Sequence, residues 1–247
     1  MKDIAYEKMV EFDSNHFWYI GREEIVLSFI SNNMNDSIER ILDYGCGAGR
    51  LVGELQKKYN DKEIVGADSS DKSLGYCRDR GILKLVDLKK RNNFHNDVDM
   101  IVCLDVLEHI EDDEELLIKI KTMLRAGKEK GLLLITVPAY DFLWSGEDYV
   151  SKHFRRYTKR VLCDKLLKVG FEVRRISYFN TLLLLPYVFL LVGKRILLPK
   201  TMYQSDFKNV NKYLNKFLAK IFSLEKLFLN NISFPFGASI VVVAKKK

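Results

Sequence analysis

Residues 40–50 read RILDYGCGAGR, and the fold turns on them. Ile41 and Leu42 begin an apolar run of strand length, Asp43 follows, and glycines fall at positions 45, 47 and 49. This predicts a buried strand over Arg40–Tyr44 that enters a turn of bare backbone, with a helix over Leu51–Tyr59 behind it. Glycine suits such a turn because it bends where a side chain would clash and lets a ligand approach the main chain. A dinucleotide fingerprint, G-x-G-x-x-G, needs glycine at position 50, where Arg50 stands. The pattern here is instead G-x-G-x-G behind an acid. No G-x-x-x-x-G-K-S/T stretch occurs, so a triphosphate ligand is not expected.

Strands and helices alternate outward from this loop. Strands are expected over Glu63–Ala67, Ile82–Val86, Asp99–Leu104 and Leu132–Val137, and helices over Lys72–Asp79 and Glu114–Leu124. A turn region containing Asn92, Asn93, Asn96 and Asp97 precedes the fourth strand. The first 40 residues read as helical, with Ile25, Val26, Phe29 and Ile30 on one face. Repeated strand–helix–strand units imply a parallel sheet covered on both faces, with ligands beyond the C-terminal ends of the strands. Asp68 closes the second strand, where a carboxylate accepts hydrogen bonds from ribose hydroxyls. Asp87 closes the third, where it suits an adenine edge. After Pro138, residues 139–157 read as a long polar–aromatic loop. Thr158–Gly170 reads as a helix with Thr158 as N-cap and Gly170 as stop, and Phe171–Phe179 and Ala238–Ala244 as the last strands.

At 247 residues with 47% hydrophobic and 30% charged side chains, the chain makes one large domain or a core with an embellishment. Disorder and low complexity are excluded. The net charge of +7 hides a split: residues 1–150 hold 20 Lys and Arg against 29 Asp and Glu, and residues 151–247 hold 20 against 4. Such polarity points to an anionic partner for the second half: a membrane surface, a phosphorylated substrate or nucleic acid. Cys46, Cys77, Cys103 and Cys163 show no C-x-x-C spacing, which argues for a reducing compartment. The N-terminal stretch MKDIAYEKMVEF lacks the pattern of a secretory signal.

DYGCGAG (43–49), GADSS with Asp68, VDL with Asp87 and DMIVCLDVLEHI (99–110) resemble the successive motifs of class I S-adenosylmethionine-dependent methyltransferases. The resemblance implies an α/β, Rossmann-like fold with a seven-stranded, mostly parallel sheet and helices on both faces. Its expected parts are an N-terminal helical cover over 1–38, a core over 39–180, a helical insertion over 181–232 and a last strand within 233–247. It implies S-adenosyl-L-methionine as donor and S-adenosyl-L-homocysteine as product. HFWYIGR (16–22), VPAYDFLWSGED (137–148), HFRRYT (153–158) and FPFGASIVVVAKK (234–246) resemble a bacterial and archaeal branch often associated with surface-glycan or lipid-linked saccharide genes.

The donor has an ammonium, a carboxylate, a ribose and an adenine, and no phosphate to neutralise. Gly45, Cys46, Gly47 and Gly49 would cradle its amino-acid part near a helix N-terminus, which favours the carboxylate. Asp43 would orient that loop or meet the ammonium through water. Asp68, Ser69, Asp87, Leu88 and Leu104 complete the expected cofactor set. Arg22 either pairs with the donor carboxylate in bidentate fashion or is a surface arginine at a helix start. Phe17 and Trp18 are cofactor lids or plain core aromatics. Asp105, Glu108 and His109 fall at i, i+3 and i+4, on one face if the turn is helical. Ubiquinone-type O-methyltransferases carry a similar E-x-x-E-H that binds metal; this chain has Asp first. The expectation here is no metal, with Glu108 and His109 bracing the loop. His109 and His153 are the candidate catalytic residues, and a histidine suits proton removal from a hydroxyl because its free pKa lies near the working pH. Trp144, Arg155, Arg156 and Tyr157 are the candidate acceptor-binding residues, although the arginines could instead salt-bridge Asp141, Glu147 or Asp148.

In the insertion, Thr181–Val192 is apolar, interrupted by Pro186, and too short to span a bilayer. Lys208, Lys212, Lys216 and Lys220 recur every four residues, with Leu214, Phe217, Leu218, Ile221 and Phe222 on another side. That is the pattern of a basic helix lying in a membrane interface, or of a helical hairpin packed on the domain. The expected function is therefore methyl transfer to a hydroxyl of a small molecule, sugar or lipid-linked saccharide. The expected site is cytoplasmic, extending to the inner face of the membrane. A nucleic-acid methyltransferase is the first rival, lowered without excluding RNA because the fourth strand ends in CLDVLEH rather than the N-P-P-[YF] type motif of many base N-methylases. A non-catalytic module on the same fold is the second.

Overall fold

The computed structural model describes residues 10–90, 94–207 and 209–247. The turn residues Asn92 and Asn93 and the first lysine of the row, Lys208, lie outside these. Helix α1 (Phe17–Asn33) is followed by β1 (Arg40–Tyr44), α2 (Arg50–Lys58), β2 (Glu63–Asp68), α3 (Asp71–Asp79), β3 (Leu85–Asp87) and β4 (Met100–Leu104). Then come α4 (Asp113–Met123), β5 (Leu132–Pro138), α5 (Gly146–Ser151), α6 (Lys159–Val169), β6 (Phe171–Phe179), α7 (Leu184–Leu197), α8 (Lys212–Leu224), α9 (Lys226–Leu229) and β7 (Ser239–Lys246). The sheet order is β3-β2-β1-β4-β5-β7-β6. Among the described residues only β7 runs antiparallel, inserted between β5 and β6.

Alternation along the strands divides the core in two. Leu42, Val65, Ile101, Leu133 and Val242 pack under α4 and α6 on one face. Ile41, Ile64, Met100, Val102, Leu134 and Val241 pack under α1, α2 and α8 on the other. With both faces covered, β1 and β5 are buried almost end to end, as a parallel sheet requires. The chain order reverses between β1 and β4, and that crevice is where such a sheet takes its ligand.

The predicted face of α1 is the buried one, now joined by Gly21. A Cβ on Gly21 would stand 2.3 Å from the Phe222 ring, so glycine lets α1 and α8 approach closely. Phe222 is fully buried and stacks on Phe179 at 6.1 Å, which seats the insertion on the sheet. Thr158 caps α6 and Gly170 ends it in the left-handed region, as the sequence indicates.

Three expectations are corrected. The third strand begins at Leu85 rather than Ile82, because Ile82 is drawn down onto Gly49 and leaves Leu83 exposed. Residues 139–157 are not a plain loop: a 3-10 turn (Asp141–Leu143) leads into α5, whose capping box joins Ser145 and Asp148. Pro186 does not break the apolar stretch, since it falls in the first turn of α7, where its missing N–H has no intrahelical partner to lose.

Candidate functional site

The glycine loop sits at the C-terminal end of β1, against the ends of β2 and β4. Gly45, Gly47 and Gly49 all have positive φ, at +79°, +54° and +77°. The Gly45 and Cys46 amides donate to the Ala67 carbonyl at 2.8 and 3.0 Å, and the Gly47 amide donates to Asp68 at 3.0 Å. Ser73 Oγ donates to the Gly47 carbonyl. Gly49 then caps α2 without a side-chain bond, so the first N–H groups of that helix have no intrahelical partner. A side chain at Gly45 would strike Val106 and one at Gly49 would strike Ile82 and Cys77, so the loop is closed to anything larger.

Asp68 is buried, with one oxygen held by the Gly47 amide and the other by the Ser70 amide at 2.8 Å. A carboxylate offers about four acceptor positions, so the orientation is fixed while acceptor capacity remains for ribose hydroxyls. Asp87 lies beside Asp68 in register on β3, and the Leu88 amide donates to the Asp68 carbonyl. Ser69 is exposed, and Leu88 and Leu104 are half-buried at the same edge. Asp43 is buried behind the loop, and burial raises its carboxyl to about 7.

Arg22 reaches the same edge from α1. It donates to Asp105 and lies 4.6 Å from the Trp18 ring and 5.5 Å from the Tyr19 ring. It is therefore not a plain surface arginine. Its Nε is buried without a partner, which leaves one donor for a carboxylate. Trp18 and Tyr19 pack against Phe207 of the insertion, so cover and insertion meet above this corner. Asp105 has φ +53°, a conformation costly for a residue with a side chain, and also accepts from Thr136 Oγ1 at 3.1 Å.

Beyond β4 and β5 a second group converges. His153 Nδ1 contacts Asp148 at 2.8 Å, and Arg156 grips the same carboxylate through Nε and Nη2 at 2.8 and 2.7 Å. His153 and Arg156 together hold Asp148 well below the ordinary carboxylate range, despite its burial. His109 Nδ1 contacts the Ser151 carbonyl at 3.0 Å, and its ring meets that of His153 edge-on at 4.5 Å. Burial lowers His109 to about 4, with His153 adding to the effect. Glu108 is fully buried and neither carboxyl oxygen has a partner, so its side chain braces nothing through hydrogen bonds.

The acceptor-binding set is only partly brought together. Trp144 is half-buried beside Tyr149. Arg156 is committed to Asp148, one of the alternatives weighed from sequence, whereas Arg155 pairs with Asp113 at 3.1 Å, which was not among them. Tyr157 is corrected: its ring is buried in the core and its hydroxyl donates to Asp113 at 2.7 Å, so it has no surface to offer an acceptor. Sequence reasoning named Asp148 only as a salt-bridge partner and did not single out Ser151. The S-x-x-D run from Ser145 to Asp148 was the signal, since a capping box fixes that carboxylate at the start of a helix.

Comparison with known proteins places this geometry. The ubiquinone biosynthesis O-methyltransferase of Aromatoleum aromaticum is 26% identical over 146 residues, covering 53% of this chain and 60% of that protein. That of Aeromonas salmonicida is 26% identical over 157 residues, covering 56% and 65%. The chain thus spans under two thirds of these relatives' length. Among solved structures, a SAM-dependent methyltransferase from Archaeoglobus fulgidus superposes with a TM-score of 0.52 at 19% identity, covering 91% of this chain and 94% of that one. Residues 20–176 match the family model described as a methyltransferase domain, and with the sheet order and glycine loop above, the chain belongs to that family in its class I, S-adenosylmethionine-dependent form.

Proposed function

We propose that this chain transfers the methyl group of S-adenosylmethionine to a hydroxyl of a small molecule. The observation that carries the reading is the left-handed glycine loop pinned to Asp68 at the point where strand order reverses. The donor's amino-acid part would lie on the loop, near the N-terminus of α2, and its ribose on Asp68. Its sulfonium would then face the ends of β4 and β5. A hydroxyl is favoured as acceptor because the two histidines there have Nδ1 tied to acceptors, which leaves Nε2 as the nitrogen placed for proton exchange. The acceptor oxygen forms its bond to the methyl carbon as the carbon–sulfur bond breaks, and the hydroxyl proton passes to Nε2 of His153. Asp148 holds that ring in place and Arg156 holds Asp148. Proximity and alignment supply most of the rate. The relatives named as O-methyltransferases agree with this acceptor class.

Calorimetry tests the reading directly. The wild-type chain should bind S-adenosylmethionine or its demethylated product, and Asp68→Ala should weaken binding by about 1–3 kcal/mol through lost hydrogen bonds to a charged group. A wild-type chain that binds neither molecule overturns the assignment.

A lipid-linked acceptor is the finer reading, and the outer face of α7 favours it. Leu185, Phe189, Leu190, Ile196 and Leu197 are all more than two-thirds exposed there. The same helix packs onto the segment that carries His153, with Tyr187 and Arg195 bonded to the carbonyls of Leu143 and Trp144. An apolar face beside the acceptor site fits attachment at the inner face of a membrane, with the acceptor held in the same plane. Among the described residues no helix is long and apolar enough to cross one.

A further inference from the structure

Two of the four cysteines meet at the glycine loop. Cys46, inside the turn, and Cys77, in the last turn of α3, bring their sulfurs to 3.8 Å of each other across 31 positions of chain. Glycines make the room. A Cβ on Gly66 would stand 3.2 Å from the Cys46 sulfur, and one on Gly49 would stand 2.8 Å from the Cys77 sulfur. The Cys77 thiol donates to the Gly47 carbonyl at 3.2 Å, so its sulfur accepts from Cys46. Cys103 packs into the opposite face of the sheet, and Cys163 lies on α6, which covers that same face. The pair is thus set apart from the other two thiols.

We propose that Cys46 and Cys77 form a reversible disulfide under peroxide, and that this bond shuts the glycine loop to the donor. Where thiols are kept reduced, a disulfide is a transient signal rather than a permanent staple. Cys46 is 8% exposed and Cys77 fully buried, so Cys46 meets the oxidant first. Its sulfur attacks one peroxide oxygen, the oxygen–oxygen bond breaks, and a sulfenic acid forms while the thiol proton leaves with the second oxygen as water. The Cys77 sulfur then displaces the sulfenic hydroxyl, which takes the Cys77 proton and departs as a second water. The sulfurs together lose two electrons, peroxide gains them, and a dithiol reverses the bond. Bonded sulfurs stand about 2.05 Å apart, so closure draws the loop toward α3. It also removes the Cys77 donor from the Gly47 carbonyl, and the Gly47 amide is what holds Asp68. The hydrogen bond to Cys77 and burial hold the Cys46 thiol well above its ordinary range, so cross-linking should quicken as pH rises. The cross-link stands on the sulfur geometry; only its effect on the donor rests on the methyl-transfer reading.

Hydrogen peroxide treatment of the full, reduced chain tests this, read by non-reducing peptide mass mapping and by donor calorimetry on the same samples. Trypsin should release residues 41–50 joined to residues 73–78, a product two hydrogens lighter than the separate peptides. Donor affinity should fall about tenfold or more, the order expected for one lost loop hydrogen bond, and return with dithiothreitol. Cys77→Ser keeps a donor for the Gly47 carbonyl, so it should bind donor as the reduced wild type does and ignore peroxide. Cys163→Ser should respond as the wild type does. The proposal is overturned if no such cross-link forms, if the cross-linked chain binds donor at full affinity, or if Cys77→Ser loses affinity on oxidation as the wild type does. A reduced chain that binds no donor overturns the methyl-transfer reading instead, whether or not the cross-link forms.

Discussion

Asp43 is the side chain most exposed to pH at the donor end. Burial raises its carboxyl from 3.8 to about 7. The folded chain therefore keeps a proton that the unfolded chain releases, and the sign follows from that. The cost of this group to stability is absent below pH 3.8, grows as pH rises, and is complete above about 7. A donor ammonium placed near Asp43 favours the charged form and pulls the value back down. Donor binding at pH 6 should then release up to one proton per chain, and affinity should rise with pH through about 7. Calorimetry in buffers of different ionisation enthalpy measures the release, and Asp43→Asn should abolish it. Asp43 was legible as an acid before a glycine loop. Its raised value was not, because it comes from burial by elements distant in sequence, with Asp68 adding to it and Arg22 opposing it.

At the level of elements, the crossing of α1 and α8 carries the insertion. Phe222→Ala removes a fully buried ring and should cost about 3–5 kcal/mol in thermal or denaturant unfolding. Gly21→Ala drives a Cβ into that ring and should cost about 1–3 kcal/mol. Because the two residues touch, the effects should not add: in the Phe222→Ala background, Gly21→Ala should do little harm. The core units were readable from sequence because their signals are local, as the apolar runs of β1, β5 and β7 and the Thr158 and Gly170 caps show. The contacts that decide the site are not local. Arg22 with Asp105, Arg155 with Asp113 and His153 with Glu108 each join segments far apart in the chain. No spacing rule reaches that far. Tyr157 failed for the same reason: a motif neighbour of two arginines looks exposed until Asp113 closes over it.

For the whole molecule, the charge split and the exposed leucines bear on where the chain works. Lys212, Lys216 and Lys220 lie exposed along α8, while Ala219 and Phe222 face inward, so the helix packs on the domain and still presents its lysine row. Each lysine near an anionic bilayer contributes about 1 kcal/mol. Lys212→Gln, Lys216→Gln and Lys220→Gln combined should weaken binding to anionic vesicles and leave donor affinity unchanged, and high salt should act alike. A wild-type chain that ignores such vesicles but holds RNA tightly would transfer the basic half to the RNA reading. The placing of β7 has a further consequence, for the order of assembly. It comes last of the seven strands in sequence yet pairs with both β5 and β6, and among the described residues β6 has no other strand beside it in the sheet. As the chain leaves the ribosome, β5 keeps an open edge and β6 hangs unmatched until residues 239–246 emerge to zip between them. Until that moment the growing chain has two β-edges available to foreign strands, so its vulnerable period lasts until β7 has emerged.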